Sequence, residues 1–482
     1  MDTTLRLDDG DQPLFLRIAD AVVREIRRGR LRTGDPLPGT RKVADQLGVH
    51  RNTVIAAWAE LRAQGWLEVR ARGATRIAPL PDEPTRRVHG AASGPTGRCG
   101  FDVPTAPPTE TAEAHPPGTL ILAGGRPDLR LLPYAEIARA WRAAVRTTRG
   151  RVLDYGDPRG HLRLRAALAS VLAAHRGLAL DADDVVVTRG AQQALYLVAH
   201  ALIRPGDRVA VERFGYPPAW TALRSAGAQL VPIDVDQDGL VVEQVEREAR
   251  RGGLRAVYST PHHQYPTMGT LPAARRLALL AVAERHRIAI VEDDYDNEYH
   301  YRGRPVLPLA SLDRAGTVVY VGTLSKTLAP GLRLGMVTGP RPLLDAIVAR
   351  RVAVDRQGDL ASELAVATLI EDGVYSRHLR RTRTVYAERQ VVLADLLRRH
   401  LGERVAFDVP MGGLALWVRF DGDVVRWQAD AARAGVAFDV GRRYHLDGDG
   451  VPYLRTGFAS LAPDELARAV VRLAGAVPPP LG

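Results

Sequence analysis

The chain has 482 residues and a mass of 52.4 kDa, which suits about two to four domains of roughly 150 residues each. Hydrophobic residues make up 46% of it and charged residues 25%, and no apolar run approaches the roughly 18 residues that cross a bilayer, so a transmembrane protein is excluded. A single cysteine excludes internal disulfides and cysteine-based zinc sites and favours a cytoplasmic location, while the formal net charge of +11 favours an anionic partner.

The first 80 residues predict a small basic domain with three helices and a hairpin. Apolar residues at helical spacing predict one helix within residues 13–29, a second in "GDPLPGTRKVADQLGV" and a third in "HRNTVIAAWAELRAQGW". The segment "WLEVRARGATRIAP" alternates in the manner of a β-hairpin. Residues 15–80 contain 13 Lys and Arg against 6 Asp and Glu, so most of the excess positive charge lies here. This order of elements predicts a winged helix-turn-helix domain at residues 12–79.

A helix-turn-helix places the N-terminal residues of its second helix against base edges in the major groove. In this chain the candidate base-reading residues at that position are His50, Arg51, Asn52 and Thr53. Four basic residues of the preceding helix and the wing are placed to meet phosphates, namely Arg41, Lys42, Arg70 and Arg72. Operator DNA is therefore the predicted partner, and a solvated basic domain that contacts protein or nothing is the alternative.

The rest of the chain divides into a linker and a large α/β region. Residues 80–118 are rich in Pro, Ala, Thr and Gly without periodicity, which is typical of a linker. From residue 119 to residue 482, apolar runs such as "DRVAVE", "IAIVEDD" and "TVVYVGT" alternate with helical stretches, and this alternation predicts a mostly parallel sheet covered by helices. Long helices and short apolar runs at the end predict a smaller α+β subdomain.

Lysine is rare in this chain, because only two of the 66 Lys and Arg residues are lysines, Lys42 and Lys326. Arginine does not deprotonate in proteins, whereas a lysine with a lowered pKa can attack an aldehyde and form a Schiff base. Lys326, in "VGTLSKTLAP", is therefore a candidate covalent site. Rarity alone leaves open that Lys326 has no chemical role. The neighbouring motifs are therefore needed to choose between a covalent site and an ordinary lysine.

A pyridoxal phosphate site needs an anion cradle, a carboxylate for the pyridine nitrogen, a hydroxyl for the ring oxygen and a lysine for the aldehyde. "TRGAQQAL" follows an apolar run and opens a helix, so its backbone amides predict an anion site. The candidate ligands are Gly190, Ala191 and Gln192 for the phosphate, Asp293 and Tyr295 for the ring, and Thr323, Ser325 and Arg333 for the phosphate beside Lys326. Each segment alone also suits an ordinary turn or a solvated acidic loop, and it is their combination and order that favour the cofactor.

Two resemblances extend these predictions. The segment from "PLFLRIADAVV" to "RAQGWLEV" resembles the GntR-type winged helix, on the motifs "GDPLPGTR" and "RNTV", with Gly39 where that family usually has Ser. From about residue 120, "DYGDPRGHLRLRAALASVL", "TRGAQQAL", "VEDDYDNEY", "GTLSKTLAPGLRLG" and "LRTGFA" resemble, in order, the fold-type I aminotransferases. The closest likeness is to the aminotransferase-like half of the MocR/GabR group of GntR regulators. The implied architecture is a winged helix joined to a PLP-dependent transferase-like fold.

The aminotransferase resemblance assigns roles to single residues. It implies that Lys326 is the internal aldimine lysine, that Asp293 pairs with the pyridine nitrogen, and that Tyr295 contacts the ring hydroxyl. It also implies that Tyr216, in "ERFGYPP", stacks on the ring and that Arg455, in "LRTGFA", binds an amino-acid carboxylate. For Arg455 the alternative is a surface arginine in an arginine-rich chain.

One segment departs from the pattern of true aminotransferases. Where they carry Asn-Pro-Thr-Gly, with the Asn supporting the ring oxygen, this chain has "HHQYPTMG". His263 and Gln264 are the two candidate substitutes for that Asn.

Together these features predict a PLP-dependent transcriptional regulator. Its winged helix binds operator DNA, and its aminotransferase-like domain binds pyridoxal 5'-phosphate through Lys326 and senses an amino-acid-like ligand or the cofactor itself. The resemblance implies a homodimer, with a head-to-tail exchange of domains as one arrangement. The alternative is a PLP-dependent aminotransferase with an accessory DNA-binding domain, and a slow half-reaction stays open within the regulator. The winged helix and linker favour the regulator, and no metal site is predicted.

Overall fold

The computed structural model describes residues 5–8, 10–69, 74–79, 102, 115–304 and 306–479. The chain forms two compact units, Met1–Thr111 and Ala112–Gly482. The predicted wing residues Arg70 and Arg72, and most of the predicted linker at residues 80–118, lie outside the described residues. Within the described ranges, no helix has both the length and the apolar character needed to cross a bilayer.

The first unit is a three-helix domain with a small antiparallel hairpin. Its elements are α1 (Leu14–Arg27), α2 (Thr40–Leu47), α3 (Arg51–Ala63), β1 (Leu67–Val69) and β2 (Thr75–Ile77). The core consists of apolar residues that recur every three or four positions along the helices, among them Ile18, Val22, Val54, Ala57 and Leu61. Gly48 ends α2 in a left-handed conformation, with φ +64°, and so makes the tight turn into α3. The predicted winged helix-turn-helix fold is confirmed.

The second unit begins with β3 (Leu120–Ile121), α4 (Tyr134–Thr147) and α5 (Leu162–Arg176). The main sheet, its covering helices and a short β7–β8 hairpin follow, as β4 (Val186–Thr188), α6 (Gly190–Leu202), β5 (Arg208–Glu212), α7 (Pro217–Ser225), β6 (Gln229–Ile233), β7 (Val235–Asp236), β8 (Gly239–Leu240), α8 (Val242–Arg250), β9 (Leu254–Ser259), α9 (Ala273–His286), β10 (Ala289–Asp294), α10 (Leu309–Leu312), β11 (Val318–Thr323) and β12 (Gly335–Thr338). The last part contains α11 (Arg341–Val354), α12 (Leu360–Glu371), α13 (Val374–Leu401), β13 (Val405–Ala406), β14 (Ala415–Phe420), α14 (Val424–Arg433), β15 (Val436–Ala437), β16 (Asp439–Val440), β17 (Tyr453–Gly457) and α15 (Pro463–Gly475).

Seven strands form the main sheet in the order β4, β12, β11, β10, β9, β5, β6. Neighbouring strands are parallel except at β12, which runs antiparallel to both β11 and β4. All of these strands except the edge strand β6 are largely buried on both faces, which is why they stand in the sequence as continuous apolar runs. Because β9, β10 and β11 are adjacent and parallel, their carboxyl ends lie along one edge of the sheet. The predicted mostly parallel sheet is confirmed, and its edge carries the chemistry described below.

The small subdomain is built on a four-stranded antiparallel sheet in the order β13, β14, β17, β16. Phe420, Trp427 and Leu466 contribute to its core. The start of the unit joins this subdomain, since β3 pairs in parallel with β15 and the Gly457 amide donates to the Leu122 carbonyl. This pairing places the two glycines after β3 directly beside strand β17.

Candidate functional site

Asp293 lies at the carboxyl end of β10 and is almost fully buried. Its Oδ2 accepts a hydrogen bond of 2.9 Å from the Tyr258 hydroxyl on β9, while Oδ1 has no partner among the described residues. Burial raises the pKa of Asp293 to about 7, against the lowering effect of the hydrogen bond from Tyr258. Since an unpartnered buried carboxylate oxygen is costly, Oδ1 is set to pair with a proton donor such as a protonated ring nitrogen.

Lys326 lies in the loop that follows β11, within electrostatic range of Asp293. Burial, together with the positive charge of Arg455, lowers the pKa of Lys326 to about 8. The carboxylates of Asp296 and Asp293 act in the opposite direction and limit the shift of this pKa. The Tyr299 hydroxyl donates to the Lys326 carbonyl oxygen at 3.1 Å and fixes the loop. An amine of this kind is partly neutral near pH 7 and can attack an aldehyde.

The N-terminus of α6, strand β12 and the loop after β11 together form an anion cradle. Gly190 has φ +76°, and a Cβ added there would lie 2.9 Å from Arg333 Nη2. Gly335 packs closely against Gly190, because a Cβ added to Gly335 would lie 2.7 Å from the Gly190 carbonyl carbon. Thr323 pairs with Gly335 across the sheet, and its hydroxyl donates to the Ser325 hydroxyl at 3.0 Å. Backbone amides, two hydroxyls and a guanidinium thus converge, and this donor set suits a phosphate.

The other phosphate candidates belong to the same region but use their side chains differently. Arg333 is exposed and donates to the Arg189 carbonyl oxygen at 3.0 Å. Gln192 donates from Nε2 to the Pro218 carbonyl oxygen at 3.0 Å, and its buried Oε1 has no partner among the described residues. Ala191 has no polar side-chain atom, so it and Gln192 offer an anion their backbone amides in the first turn of α6.

Three tyrosines form one wall of the site. The rings of Tyr216 and Tyr265 meet edge to face at 5.2 Å, and those of Tyr265 and Tyr295 meet in the same manner at 5.8 Å. The guanidinium of Arg455 lies over the Tyr265 ring, 4.5 Å from its centre. Burial raises the pKa of both Tyr216 and Tyr295, so their hydroxyls remain protonated near neutral pH. The three rings therefore connect Tyr216, predicted to stack on the cofactor, with Tyr295, predicted to contact the ring oxygen, and with Arg455, predicted to bind a carboxylate.

Arg455 is on β17 and has 0% of its surface exposed, which excludes the alternative of a surface arginine. Its Nε and Nη1 have no hydrogen-bond partner among the described residues. A Cβ added to Gly124 would lie 1.9 Å from Nη1, and one added to Gly125 would lie 3.4 Å from Lys326 Nζ and 3.7 Å from Arg455 Nη1. The two glycines keep the space around these cations free of side chains. Because a buried guanidinium is costly without an anion, this space suits a ligand carboxylate.

The loop that stands where aminotransferases have Asn-Pro-Thr-Gly uses its polar side chains within the protein. The Gln264 amide donates to Glu212 Oε2 at 3.1 Å and to two backbone carbonyls, and it accepts from the Thr267 hydroxyl at 2.6 Å. Gln264 was predicted to support the ring oxygen, but the structure corrects this role, because every polar atom of the amide is already engaged in holding the loop. His263 Nδ1 lies 2.7 Å from Asp296 Oδ1, which leaves Nε2 as its remaining nitrogen.

In the first unit, the predicted DNA-contacting residues lie at the start of α3 and on α2. The exposed ones are Arg41, Lys42, His50, Arg51 and Asn52. Thr53 is partly buried, and His50 is the N-cap residue of α3, where its Nδ1 accepts a hydrogen bond of 3.2 Å from the Asn52 amide. His50 therefore stabilises the start of the helix and presents only its other ring nitrogen outward. Arg51 also donates from Nε to the Thr40 hydroxyl at 3.3 Å, which ties α3 to α2.

Four residues of the site around Lys326 were not singled out from the sequence, namely Gly124, Gly125, Tyr258 and Tyr265. Tyr258 had a usable signal, because a tyrosine inside the apolar run "LRAVYST" needs a partner for its hydroxyl once the strand is buried. The glycines stand at the start of "GGRPDLRLLP", a segment that also resembles aminotransferases, but no local pattern relates them to Arg455, which is more than 300 residues away along the chain. Only the pairing of β3 with β15 brings these residues together.

Comparison with known proteins gives a match to two family models. The model of aminotransferase class I and II matches residues 129–473, and the model of bacterial regulatory proteins of the gntR family matches residues 14–77. The probable rhizopine catabolism regulatory protein MocR of Rhizobium meliloti is 35% identical over 474 residues, which cover 97% of this chain and 94% of that protein. The HTH-type transcriptional regulator TauR of Rhodobacter capsulatus is 32% identical, over 97% of each chain.

The second unit also resembles solved structures. LysN, an alpha-aminoadipate aminotransferase from Thermus thermophilus crystallised with N-(5'-phosphopyridoxyl)-L-leucine, is 28% identical and superposes with a TM-score of 0.70 over 75% of this chain and 92% of that one. A kynurenine aminotransferase from Pyrococcus horikoshii is 27% identical, with a TM-score of 0.70 over 74% of this chain and 90% of that one. An aminotransferase fold of this kind implies pyridoxal phosphate.

A winged helix followed by an aminotransferase fold defines the class, a DNA-binding transcription regulator with an aminotransferase-like domain. Within that class the chain belongs to the gntR-family regulators of the MocR type.

Proposed function

We propose that this protein regulates transcription in response to a small molecule that carries an amine and a carboxylate and that binds together with pyridoxal 5'-phosphate around Lys326. The observation that carries the proposal is the pair of buried cations at the site. Arg455 is fully buried with two unpartnered nitrogens, and a Cβ added to Gly125 would lie 3.7 Å from Arg455 Nη1 and 3.4 Å from the Lys326 amine, so the two cations are close to one another. A ligand with one carboxylate and one amine complements this pair, and an amino acid is the simplest such molecule.

The residues around Lys326 fit pyridoxal phosphate at three separate places. The free Oδ1 of Asp293 is placed for a protonated pyridine nitrogen, and the cradle at Gly190 is placed for a phosphate. The ring of Tyr216 forms a wall for the pyridine between them. When bound, the cofactor supplies an aldehyde for amines and an electron-withdrawing ring. The lowered pKa of Lys326, about 8, keeps part of its amine neutral for that aldehyde.

The ligand has a direct way to change the conformation of the second unit. Arg455 belongs to the small antiparallel sheet, whereas Asp293 and Lys326 belong to the edge of the main sheet. A ligand held at both ends therefore bridges the two sheets and favours the arrangement in which both ends are bound. It shifts the conformational equilibrium only by its difference in affinity for the two arrangements. That difference is the free energy available to alter binding of operator DNA by the winged helix.

The experiment that tests this function compares the two lysines of the chain. Purified wild type, Lys326→Ala and Lys42→Ala are mixed with pyridoxal phosphate and examined by visible absorption and by operator DNA binding. Wild type and Lys42→Ala are expected to show the band of a lysine-bound cofactor, and Lys326→Ala is expected to lack it. Lys42 is exposed on α2, so its replacement is expected to weaken DNA binding and leave the band intact. A wild type without the band contradicts the cofactor assignment.

Titration with amino acids, with promoter DNA present, separates the regulator from an enzyme. The regulator is expected to change its DNA affinity when an amino acid alters the visible band, without steady release of keto acid. Steady keto-acid production with no DNA binding at any ligand concentration would instead establish an aminotransferase.

We also propose that the protein acts as a homodimer; the head-to-tail exchange of domains stays a prediction. Large apolar side chains are exposed in the second unit, among them Tyr134, Leu153 and Tyr155 at 60%, 71% and 75%. Exposed apolar groups of this size are typical of an interface. Light scattering of the wild type is expected to give about twice the chain mass of 52.4 kDa, and Leu153→Asp combined with Tyr155→Asp is expected to give the mass of one chain. A wild type that is monomeric at micromolar concentration contradicts the dimer.

A further inference from the structure

Three histidines form a buried cluster beside the site described above. His262 and His263 lie in the loop after β9, and His300 lies in the segment after β10. They are only 3%, 2% and 5% exposed, and one ring nitrogen from each can be chosen so that all three lie within 4.8 Å of one another. The ring of His263 lies 4.4 Å from that of His262 and 6.4 Å from that of His300, measured between centroids. The fold therefore brings His300 beside two histidines that are adjacent in the chain.

The cluster is short of hydrogen-bond partners. Five of its six ring nitrogens form no hydrogen bond with the described residues, namely both of His262, both of His300 and Nε2 of His263. The backbone of Arg302 is a further polar neighbour of His300. An unsatisfied polar group in a protein interior is costly, so a cluster of this kind indicates that something else binds these nitrogens.

The sixth nitrogen shows how the cluster is oriented. His263 Nδ1 lies 2.7 Å from Asp296 Oδ1, and the side chains of both residues are 1% exposed. A carboxylate that holds one imidazole nitrogen fixes the tautomer and leaves the other nitrogen free as a ligand, which is the arrangement typical of metal-binding histidines. Gly412 faces that free nitrogen, and a Cβ added there would lie 2.8 Å from His263 Nε2. Glycine at this position thus leaves the space in front of Nε2 without a side chain.

We propose that His262, His263 and His300 bind one Zn²⁺ ion, with Asp296 orienting His263. Zn²⁺ prefers imidazole nitrogens at about 2.0–2.1 Å in tetrahedral geometry, and three protein ligands leave the fourth position for water. Tetrahedral bonds of that length place the ligand atoms roughly 3.3 Å apart, so the imidazoles move inward on binding from their present separations of up to 4.8 Å. Small rotations of three histidine side chains accommodate this change.

Of the three histidines, only His263 is also a candidate for the cofactor, as support for the ring oxygen. His262 and His300 are assigned no role at the ring, the phosphate or the ligand carboxylate. The histidine cluster also differs from the second group of ligating residues among the described residues, His445, Asp447 and Asp449. Both aspartates of that group are exposed, and exposed carboxylates are ordinarily solvated. This second group therefore serves as an internal comparison.

The test is metal binding by the full-length protein without an affinity tag. The protein is freed of metal with a chelator, and Zn²⁺ is titrated against a chromophoric competitor. Wild type is expected to bind one Zn²⁺ per chain, and the double variant His262→Ala, His300→Ala is expected to lose this binding. Asp296→Asn is expected to weaken it about 10- to 100-fold. His175→Ala on the surface of α5 and Asp449→Asn are matched controls expected to bind like the wild type.

Loss of metal binding in the double variant could also result from misfolding, so a second variant is tested for a new spectroscopic signal. His262→Cys replaces an imidazole by a thiolate, so Co²⁺ in place of Zn²⁺ is expected to add a sulfur-to-cobalt charge-transfer band that wild type lacks. Circular dichroism and the visible band of the bound cofactor report whether each variant is folded. The proposal is overturned if wild type binds no more Zn²⁺ than the folded double variant, or if His262→Cys binds Co²⁺ without the new band.

Discussion

Arginine lies in opposite environments in the two units of this chain. At the start of α3, Arg51 is exposed. On β17, Arg455 is completely buried with two unpartnered nitrogens and Gly124 against its guanidinium. The same residue type is thus exposed where we propose contacts with a polyanion and buried where we propose binding of a single carboxylate.

This difference in burial predicts that ionic strength affects DNA binding and ligand binding to different extents. Contacts of exposed arginines with phosphates weaken steeply with ionic strength, because binding releases condensed counterions. A buried arginine is screened far less by salt, and at Arg455 the space for a ligand is limited by the close approach of Gly124 and Gly125. DNA binding is therefore expected to depend strongly on salt, and ligand binding only weakly.

The largest expected effect comes from removing the buried charge. Arg455→Ala is expected to weaken binding of an amino acid by about 3 kcal/mol, or roughly 150-fold, because the carboxylate loses its buried partner. The measurement is a titration of the visible band with an amino acid and with the corresponding decarboxylated amine. Only the amino acid should lose affinity, and equal losses for both ligands would contradict the carboxylate role. Thermal stability is expected to stay the same or rise, because an unpaired buried charge has been removed.

A smaller effect is expected when the space beside that charge is filled. In Gly124→Ala the new Cβ would lie 1.9 Å from Arg455 Nη1, so the guanidinium must move. Overpacking of this kind is expected to weaken amino-acid binding by about 2 kcal/mol, or roughly 30-fold. Gly450→Ala is the matched control, since a Cβ there meets nothing within 4 Å. Equal affinity in the two variants, measured by the same titration, would show that Gly124 does not shape the ligand space.

In the winged helix, single replacements are expected to act through DNA alone. Asn52→Ala removes one exposed candidate for base contact and should weaken operator binding by about 1.5 kcal/mol while affecting nonspecific DNA little. Lys42→Ala should weaken both kinds of DNA and reduce the slope of affinity against salt by about one ion. Fluorescence anisotropy over a range of salt concentrations measures both. The base-reading assignment fails if Asn52→Ala weakens specific and nonspecific DNA equally.

The smallest expected effect is the pH dependence of the rate at which Lys326 reacts with an aldehyde. Only the neutral amine attacks an aldehyde, and the pKa of Lys326 is lowered to about 8. Its reaction with an uncharged aldehyde, trapped by reduction and located by mass spectrometry, is therefore expected to fall about tenfold per unit below pH 8 and to level off above it. A lysine with the ordinary pKa of about 10.4 would keep gaining rate through pH 10, and that profile at Lys326 would contradict the buried environment.

Local patterns were enough to predict the winged helix and a mostly parallel sheet covered by helices, because helical periodicity and continuous strand runs report burial directly. The aminotransferase fold was predicted from the resemblance of several motifs to that family. Local patterns also pointed to Asp293 and Lys326, since each stands in a short motif at the end of a strand. Gly124 and Tyr265 escaped, because their place in the site depends on strand pairing and on a loop that returns from elsewhere. Gln264 shows the opposite error, since a polar residue in the expected position is used up by hydrogen bonds within its own loop.

Coupling between ligand and DNA is measured by the dissociation constant of operator DNA, for wild type and Arg455→Ala, with and without an amino acid that changes the visible band. The amino acid is expected to change the constant of the wild type at least fivefold, which corresponds to about 1 kcal/mol of coupling. No change is expected for Arg455→Ala at the same ligand concentration, with its DNA affinity in the absence of ligand intact. An unchanged constant in the wild type while the ligand occupies the site would show that the protein does not regulate DNA binding through this ligand.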